Sequence, residues 1–216
     1  MSGLTKEQLA IRKNKLTGST IAAYLGYSPY QSPSEAWEIN EGKREFAGNQ
    51  ATRFGEIFED AIGIAACEEL GIPPEDVSKP DSMPHPDYQE AIVVHPDLLC
   101  KKRKLGIQIK NHDPRMMKDY GKPTGGADNK LVPKHYLMQC MLEHEVVRAT
   151  FGKDWDWWYL AAYFGGTNLR LYKLRYDPIE ARKLMKEALA FWRAYLDPKG
   201  MKFTPDDEAW EERFGK

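Results

Sequence analysis

Apolar and polar positions alternate in two distinct rhythms along this chain. Residues 1–25 carry a helical pattern, with Thr17 or Ser19 placed to cap a turn before Ile21, Ala22 and Leu25, and Gly26 to stop it. A Pro/Ser turn leads into a second short helix capped near Ser34. The clearest helix spans residues 55–70, where Phe58, Ala61, Ile62, Ala65 and Ala66 keep a 3.6-residue period and Gly71 ends it. A proline-rich loop follows. The rhythm then shifts to strand period: Ala91 to Val94, Leu98 and Leu99 are apolar, and Leu105, Ile107 and Ile109 alternate with Gly106, Gln108 and Lys110. Two strands joined by a hairpin through Lys101 to Lys104 are predicted. Residues 114–130 read as a mobile polar loop, 133–148 as a helix, 155–176 as a β-hairpin turning at Gly165 and Gly166, and 178–195 as a closing amphipathic helix. This order predicts one α/β domain over residues 1–216, a small central mixed β-sheet flanked by helices.

Composition narrows the picture only a little. With 42% hydrophobic and 29% charged residues in 216, the chain is expected to be globular, and no apolar stretch is long enough for a transmembrane helix. No basic stretch followed by an apolar run opens the sequence, so secretion is not expected. Cys67, Cys100 and Cys140 are odd in number and sit among apolar residues, which predicts reduced core thiols and an intracellular setting. Net charge is −1, from 31 Lys and Arg against 32 Asp and Glu, so the molecule as a whole is no general polyanion binder. Basic residues nevertheless gather at Lys6, Arg12, Lys13 and Lys15 and at Lys101 to Lys104, and the last residues are acidic.

The strand pair carries the chemistry. Period-2 alternation sets Gln108 and Lys110 on one face, opposite Leu105, Ile107 and Ile109, and Asp97 ends the neighbouring apolar run. A carboxylate and a carboxamide oxygen side by side are hard ligands suited to Mg²⁺ or Mn²⁺. A lysine beside them can orient water or stabilise charge on a phosphate. An ordinary polar strand face is the alternative reading of so short a string.

Other stretches resolve it through a resemblance. Pro96-Asp97 and Gln108-Ile109-Lys110 resemble the two halves of the PD-(D/E)XK motif. More narrowly, Arg12 with "LTGSTIAAYLGYSPY", then "GEIFED", "HPDLL" and "YLMQCM", resemble in the same order four motifs of the phage lambda exonuclease, or YqaJ-type viral recombinase, family. The resemblance implies a restriction-endonuclease-like core. It implies that Glu59 and Asp97 are metal carboxylates, that Gln108 and the Ile109 carbonyl complete the metal site, and that Lys110 is the catalytic lysine. It implies that Arg12, Ser19 and Gln139 hold the 5′-phosphate of a DNA end, with helix-start amides beside Ser19 assisting. Gln108 departs from the usual glutamate, either as a natural variant or as an inactivating substitution, and His95 stands where the family has a small residue. His95 could bind phosphate, move a proton or only hold the strand end.

The implied activity is that of an alkaline-exonuclease-type enzyme, a Mg²⁺-dependent 5′-to-3′ exonuclease on linear double-stranded DNA that leaves 3′ single-stranded tails for phage recombination. The implied assembly is a homotrimer working with a single-strand annealing protein in a bacterial cytoplasm. A PD-(D/E)XK endonuclease and a catalytically weakened DNA-end-binding protein are the alternatives. Trp155, Trp157 and Trp158 are expected in packing rather than on DNA bases, His112 and Asp113 in a strand-ending turn, and His135 and His144 on opposite sides of their helix. Lys118, Lys122, Lys130 and Lys134 could track a phosphate backbone or lie free in solvent.

Overall fold

The computed structural model describes residues 10–45, 48 and 50–200; the start of the first predicted helix with Lys6, and the acidic last residues, lie outside them. The predicted helix over 1–25 is broken. Residues 10–12 form a helical turn, Leu16 bridges to Ile92, and α1 spans only Gly18–Tyr24. Helix α2, Pro33–Asn40, is capped by Ser32, two residues before the expected cap at Ser34. Ser32 accepts from the Glu35 amide at 3.3 Å while the Glu35 carboxylate accepts from the Ser32 amide at 3.1 Å, a reciprocal capping box with proline at the first helical position. Helix α3 runs Gln50–Glu69.

Beyond α3 come β1 (Met83–Pro84), β2 (Val93–Val94), β3 (Leu98–Cys100), β4 (Leu105–Asn111), α4 (Lys134–Phe151), β5 (Trp157–Tyr163), β6 (Leu169–Arg175) and α5 (Pro178–Phe191), which widens into a π-turn over Trp192–Leu196. The four-stranded sheet has the order β3-β4-β5-β6, parallel between β4 and β5 and antiparallel elsewhere. The expected small mixed sheet is present, with one correction. The apolar run before Asp97 is not one strand: Val93 and Val94 leave to pair with Met83 and Pro84, and only Leu98 to Cys100 pair with β4.

Alternation divides the sheet between two cores. Leu105, Ile107 and Ile109 face α3 and meet Ile62, Ala66 and Cys67. The other face packs Leu99, Trp158, Leu160 and Tyr172 against Cys140 and Val147 of α4. Helix α4 is covered on its far side too, where Met138, Leu142 and Val146 join α1, α2 and α5. This double burial removes the one-sided apolar stripe that would otherwise mark α4 in the sequence. Trp155 and Trp158 are buried and Trp157 is half-buried, as packing requires. The three cysteines are free and buried.

Two loops are tied down. Buried Asp128 accepts from the Thr124 amide at 3.0 Å and the Lys173 amide at 3.2 Å, anchoring the segment read as mobile to β6. In the basic turn, Lys102 pairs with Asp76 at 3.1 Å, Lys104 pairs with Asp154, and Arg103 donates to the carbonyls of Leu70 and Gly71 at the end of α3. Among the described residues no helix is long and apolar enough to cross a membrane.

Candidate active site

Strand β3 is short, and this creates the site. Its pairing with β4 reaches only as far as Leu98 opposite Ile107, so β4 runs on with one edge unpaired. Asp97 takes up that edge: its Oδ2 accepts from the Ile109 amide at 2.7 Å and from Gln108 Nε2 at 2.5 Å. The N–H and C=O of a strand residue point to the same edge, so the Ile109 carbonyl is also turned to the open side. Around this edge lies a cavity of about 570 Å³ lined by Asp97, Gln108, Ile109 and Lys110, by Glu59 from α3, and by Arg12, Ser19, His95, Gln139 and Glu143. Gln108 and Lys110 enter from the α4 face of the sheet and Glu59 from the α3 face, so the cavity wraps the edge.

The charges in it are strained. Burial pushes the Asp97 carboxyl up to about 7, and the nearby Glu59 adds to the rise while Lys110 opposes it. Glu59 is paired with Lys79 at 2.7 Å, and Lys79 also reaches Asp60 at 3.2 Å. Gln108 is 2% exposed, yet its Oε1 has no hydrogen-bond partner. A buried acceptor left open costs free energy that a cation or a donor would recover. Asp97, Glu59, the Gln108 Oε1 atom and the Ile109 carbonyl therefore make a donor set that suits a hard divalent ion, with the amide supplying an oxygen but no charge. Among the described residues no group of three His, Cys, Asp or Glu side chains is assembled for a metal.

The second cluster faces the other end of the cavity. The Arg12 guanidinium is largely buried, its Nε has no partner, and burial lowers its pKa against the opposing charge of Glu143. Ser19 Oγ lies 3.2 Å from Thr17 Oγ1. Gln139 Nε2 donates to Glu143 Oε1 at 3.0 Å. Ser19 stands in the first turn of α1, beside that helix's opening amides. His95 Nε2 lies 2.9 Å from Ser82 Oγ, and burial, with Arg12 nearby, lowers its pKa to about 4, so it is a neutral hydrogen-bonding group rather than a cation at physiological pH.

Several other residues weighed in the sequence lie outside this cavity. His112 is buried against the Tyr120 hydroxyl at 2.7 Å, His144 against the Trp155 carbonyl at 2.8 Å, and Asp113 caps a 3₁₀ turn through the Arg115 amide. Lys130 and Lys134 line a separate cavity between α4 and α5, with the Lys134 ammonium 3.5 Å from the centre of the Tyr27 ring. Conversely, Lys79 and Glu143 line the site without having been singled out in the sequence. Lys79 comes from the proline-rich loop and carries no pattern. Glu143 could have been found, since it follows Gln139 by four residues on a helix and so shares its face.

Residues 7–150, well over half of the chain, match the model of the YqaJ-like viral recombinase domain. The fold is similar to that of LHK-Exo, an alkaline exonuclease from Laribacter hongkongensis, at 19% identity over 87% of this chain and 90% of that one, with a TM-score of 0.64. The complex of LHK-Exo with dAMP gives the same identity and coverage and a TM-score of 0.65. A phage-related exonuclease from Haemophilus somnus is similar at 13% identity over 82% of this chain and 91% of that one, with a TM-score of 0.50. No curated protein matches the chain. The architecture is thus the PD-(D/E)XK-like one of these exonucleases, and the chain belongs to the YqaJ-like viral recombinase family.

Proposed function

We propose that this protein is a Mg²⁺-dependent exonuclease, with Mn²⁺ as a possible substitute, that degrades one strand of linear double-stranded DNA from its 5′ end and leaves a 3′ single-stranded tail. One observation carries the reading: Asp97, Glu59, Gln108 and Ile109 share a cavity with Lys110 and with Arg12, whose Nε has no partner. Family membership supports a nuclease acting on DNA.

Each residue then has a task. Asp97, Glu59, Gln108 Oε1 and the Ile109 carbonyl would hold the cation, which when bound supplies charge neutralisation and a lower pKa for water. Lys110 orients the attacking water and stabilises charge gathering on the phosphate oxygens. Arg12, Ser19, Gln139 and neutral His95 hold the 5′-phosphate, setting the distance from the chain end to the bond that breaks. Water adds to the phosphorus, the bond to the 3′ oxygen of the released nucleotide breaks, and a proton from water passes to that oxygen. A homotrimer around the duplex, a single-strand annealing partner and a bacterial cytoplasmic setting of phage origin complete the proposal on the strength of the family resemblance.

A binding-only reading has its own support, because the Gln108 amide and Lys79 each occupy a carboxylate that the cation needs. Mg²⁺-dependent release of nucleotides from linear duplex, with closed circular duplex left intact, is the expected result. Cutting of the circle would make the protein an endonuclease, and end binding without release would leave the binding-only reading. Undiminished digestion by Lys110→Ala would refute the site.

A further inference from the structure

The cavity contains one buried acid to which neither the hydrolysis nor the family motifs give a task. Glu143, one turn after Gln139 on α4, is 1% exposed. Its Oε1 accepts from Gln139, and its Oε2 is buried without a partner. Its carboxyl lies directly against Gly18, where any side chain would collide with it, so the absence of a Cβ seats the acid at the start of α1. No ion pair to Glu143 forms among the described residues.

An ionised carboxylate this deep, without a cation in contact, would cost several kcal/mol. Burial accordingly drives the Glu143 pKa well up, and the charge of Asp97 adds to the rise, against smaller opposing effects of the Gln139 bond, Lys110 and Arg12. The neutral acid has an O–H to give, and Oε2 is the oxygen left without a partner while Oε1 accepts from Gln139. Arg12, whose Nε is a second buried donor with no acceptor, lines the same cavity. Two unpartnered donors of this kind complement the acceptor oxygens of a phosphate. An anionic Glu143 would instead repel the group that Arg12 attracts.

We propose that Glu143 is a specificity-determining residue for the DNA end, donating a hydrogen bond from its Oε2 hydroxyl to the terminal 5′-phosphate held by Arg12. This deepens the exonuclease reading and rests on it. The measurement is kcat/KM on linear duplex bearing 5′-phosphate against the same duplex bearing 5′-hydroxyl, for the unaltered chain, Glu143→Gln and Glu143→Met. Glutamine keeps a donor and should hold the phosphate preference within about threefold, whereas methionine, with none, should lower it about tenfold. An unchanged ratio in Glu143→Met, or a fall in Glu143→Gln as large as in Glu143→Met, overturns the assignment. So does an equal loss on both ends, which would put the contact on the scissile phosphate. If Glu143→Met does not fold, Gly18→Ala, which pushes the carboxyl off its seat, must produce the same fall, and an unchanged ratio there counts against Glu143. If the unaltered chain releases nothing from either end, the nuclease reading has failed on its own. The ratio of dissociation constants for the two ends, read by fluorescence anisotropy in EDTA, then decides on Glu143 by the same criteria.

Discussion

Replacing Asp97 with asparagine should stabilise the metal-free protein, and the gain should grow with pH. Asp97 is half-buried, and desolvation raises its carboxyl to about 7 in the folded chain against 3.8 as the ordinary value. A folded pKa above the unfolded one means that between those values the native state keeps a proton that the unfolded chain has lost. Stability contributed by the protonated form is therefore complete below the lower value and is lost as pH climbs through the higher one. At 1.36 kcal/mol per unit, the rise amounts to about 4 kcal/mol at its upper end. Asparagine carries no such cost, and its oxygen can still accept from the Ile109 amide and from Gln108 Nε2, the two bonds that place Asp97.

The difference between Asp97→Asn and the unaltered chain should thus be near zero around pH 4, widen by about 1.4 kcal/mol per pH unit and level off above about pH 7. For a chain of this size that is roughly 10 °C in melting temperature at the plateau. Urea unfolding in EDTA at a series of pH values measures it. Added Mg²⁺ should narrow the gap by binding only the native carboxylate form. A gain that does not vary with pH, or an asparagine variant that is the less stable of the two at pH 8, would refute the claim that Asp97 is held against its charge.

Three further outcomes follow from the same geometry. Gln108→Glu exchanges the 2.5 Å amide bond to Asp97 for a second carboxylate, so it should lower the melting temperature in EDTA yet reduce the half-saturating Mg²⁺ concentration about tenfold, both read by thermal melts across a Mg²⁺ series. Lys79→Met releases Glu59 from its 2.7 Å ion pair. Because Lys79 is about half exposed the gain in Mg²⁺ affinity should be small, about two- to fivefold by calorimetric titration, and weaker binding would mean that Lys79 positions Glu59 instead. Gly106→Ala should cost about 1–3 kcal/mol in urea unfolding, since a side chain there collides with the buried Trp158 ring, and a melt indistinguishable from the unaltered chain would contradict the packing.

What the sequence reveals of this site, and what it hides, follows from how each side chain is held. Gln108 and Lys110 are legible because a strand fixes alternate side chains on one face whatever its neighbours do. Choosing Glu59 over Glu56 and Asp60 needs the family motif, since helical spacing alone cannot say which part of α3 meets the edge of β4; both Glu56 and Glu59 line the cavity. The edge itself is hidden. It exists because Val93 and Val94 pair with Met83 and Pro84 and leave β3 short, a choice made by partners distant in sequence. Lys79 and Asp128 are hidden for the same reason, as each acts through long-range contacts from a loop.

The departure at Gln108 becomes intelligible only when the cavity's charges are considered together. Asp97 already stands near its limit, with Glu59 raising the cost of negative charge on it. A glutamate at 108 would press another carboxylate against Asp97, tolerable with a cation bound and costly without one. The amide does the opposite. It binds Asp97 directly, lets the edge close in the absence of metal, and leaves Oε1 as the oxygen still available to an ion. If the proposed cation site is right, stability without metal and affinity for metal are set against each other at one side chain, and a substitution there that improved both would show that the two carboxylates do not share a cation.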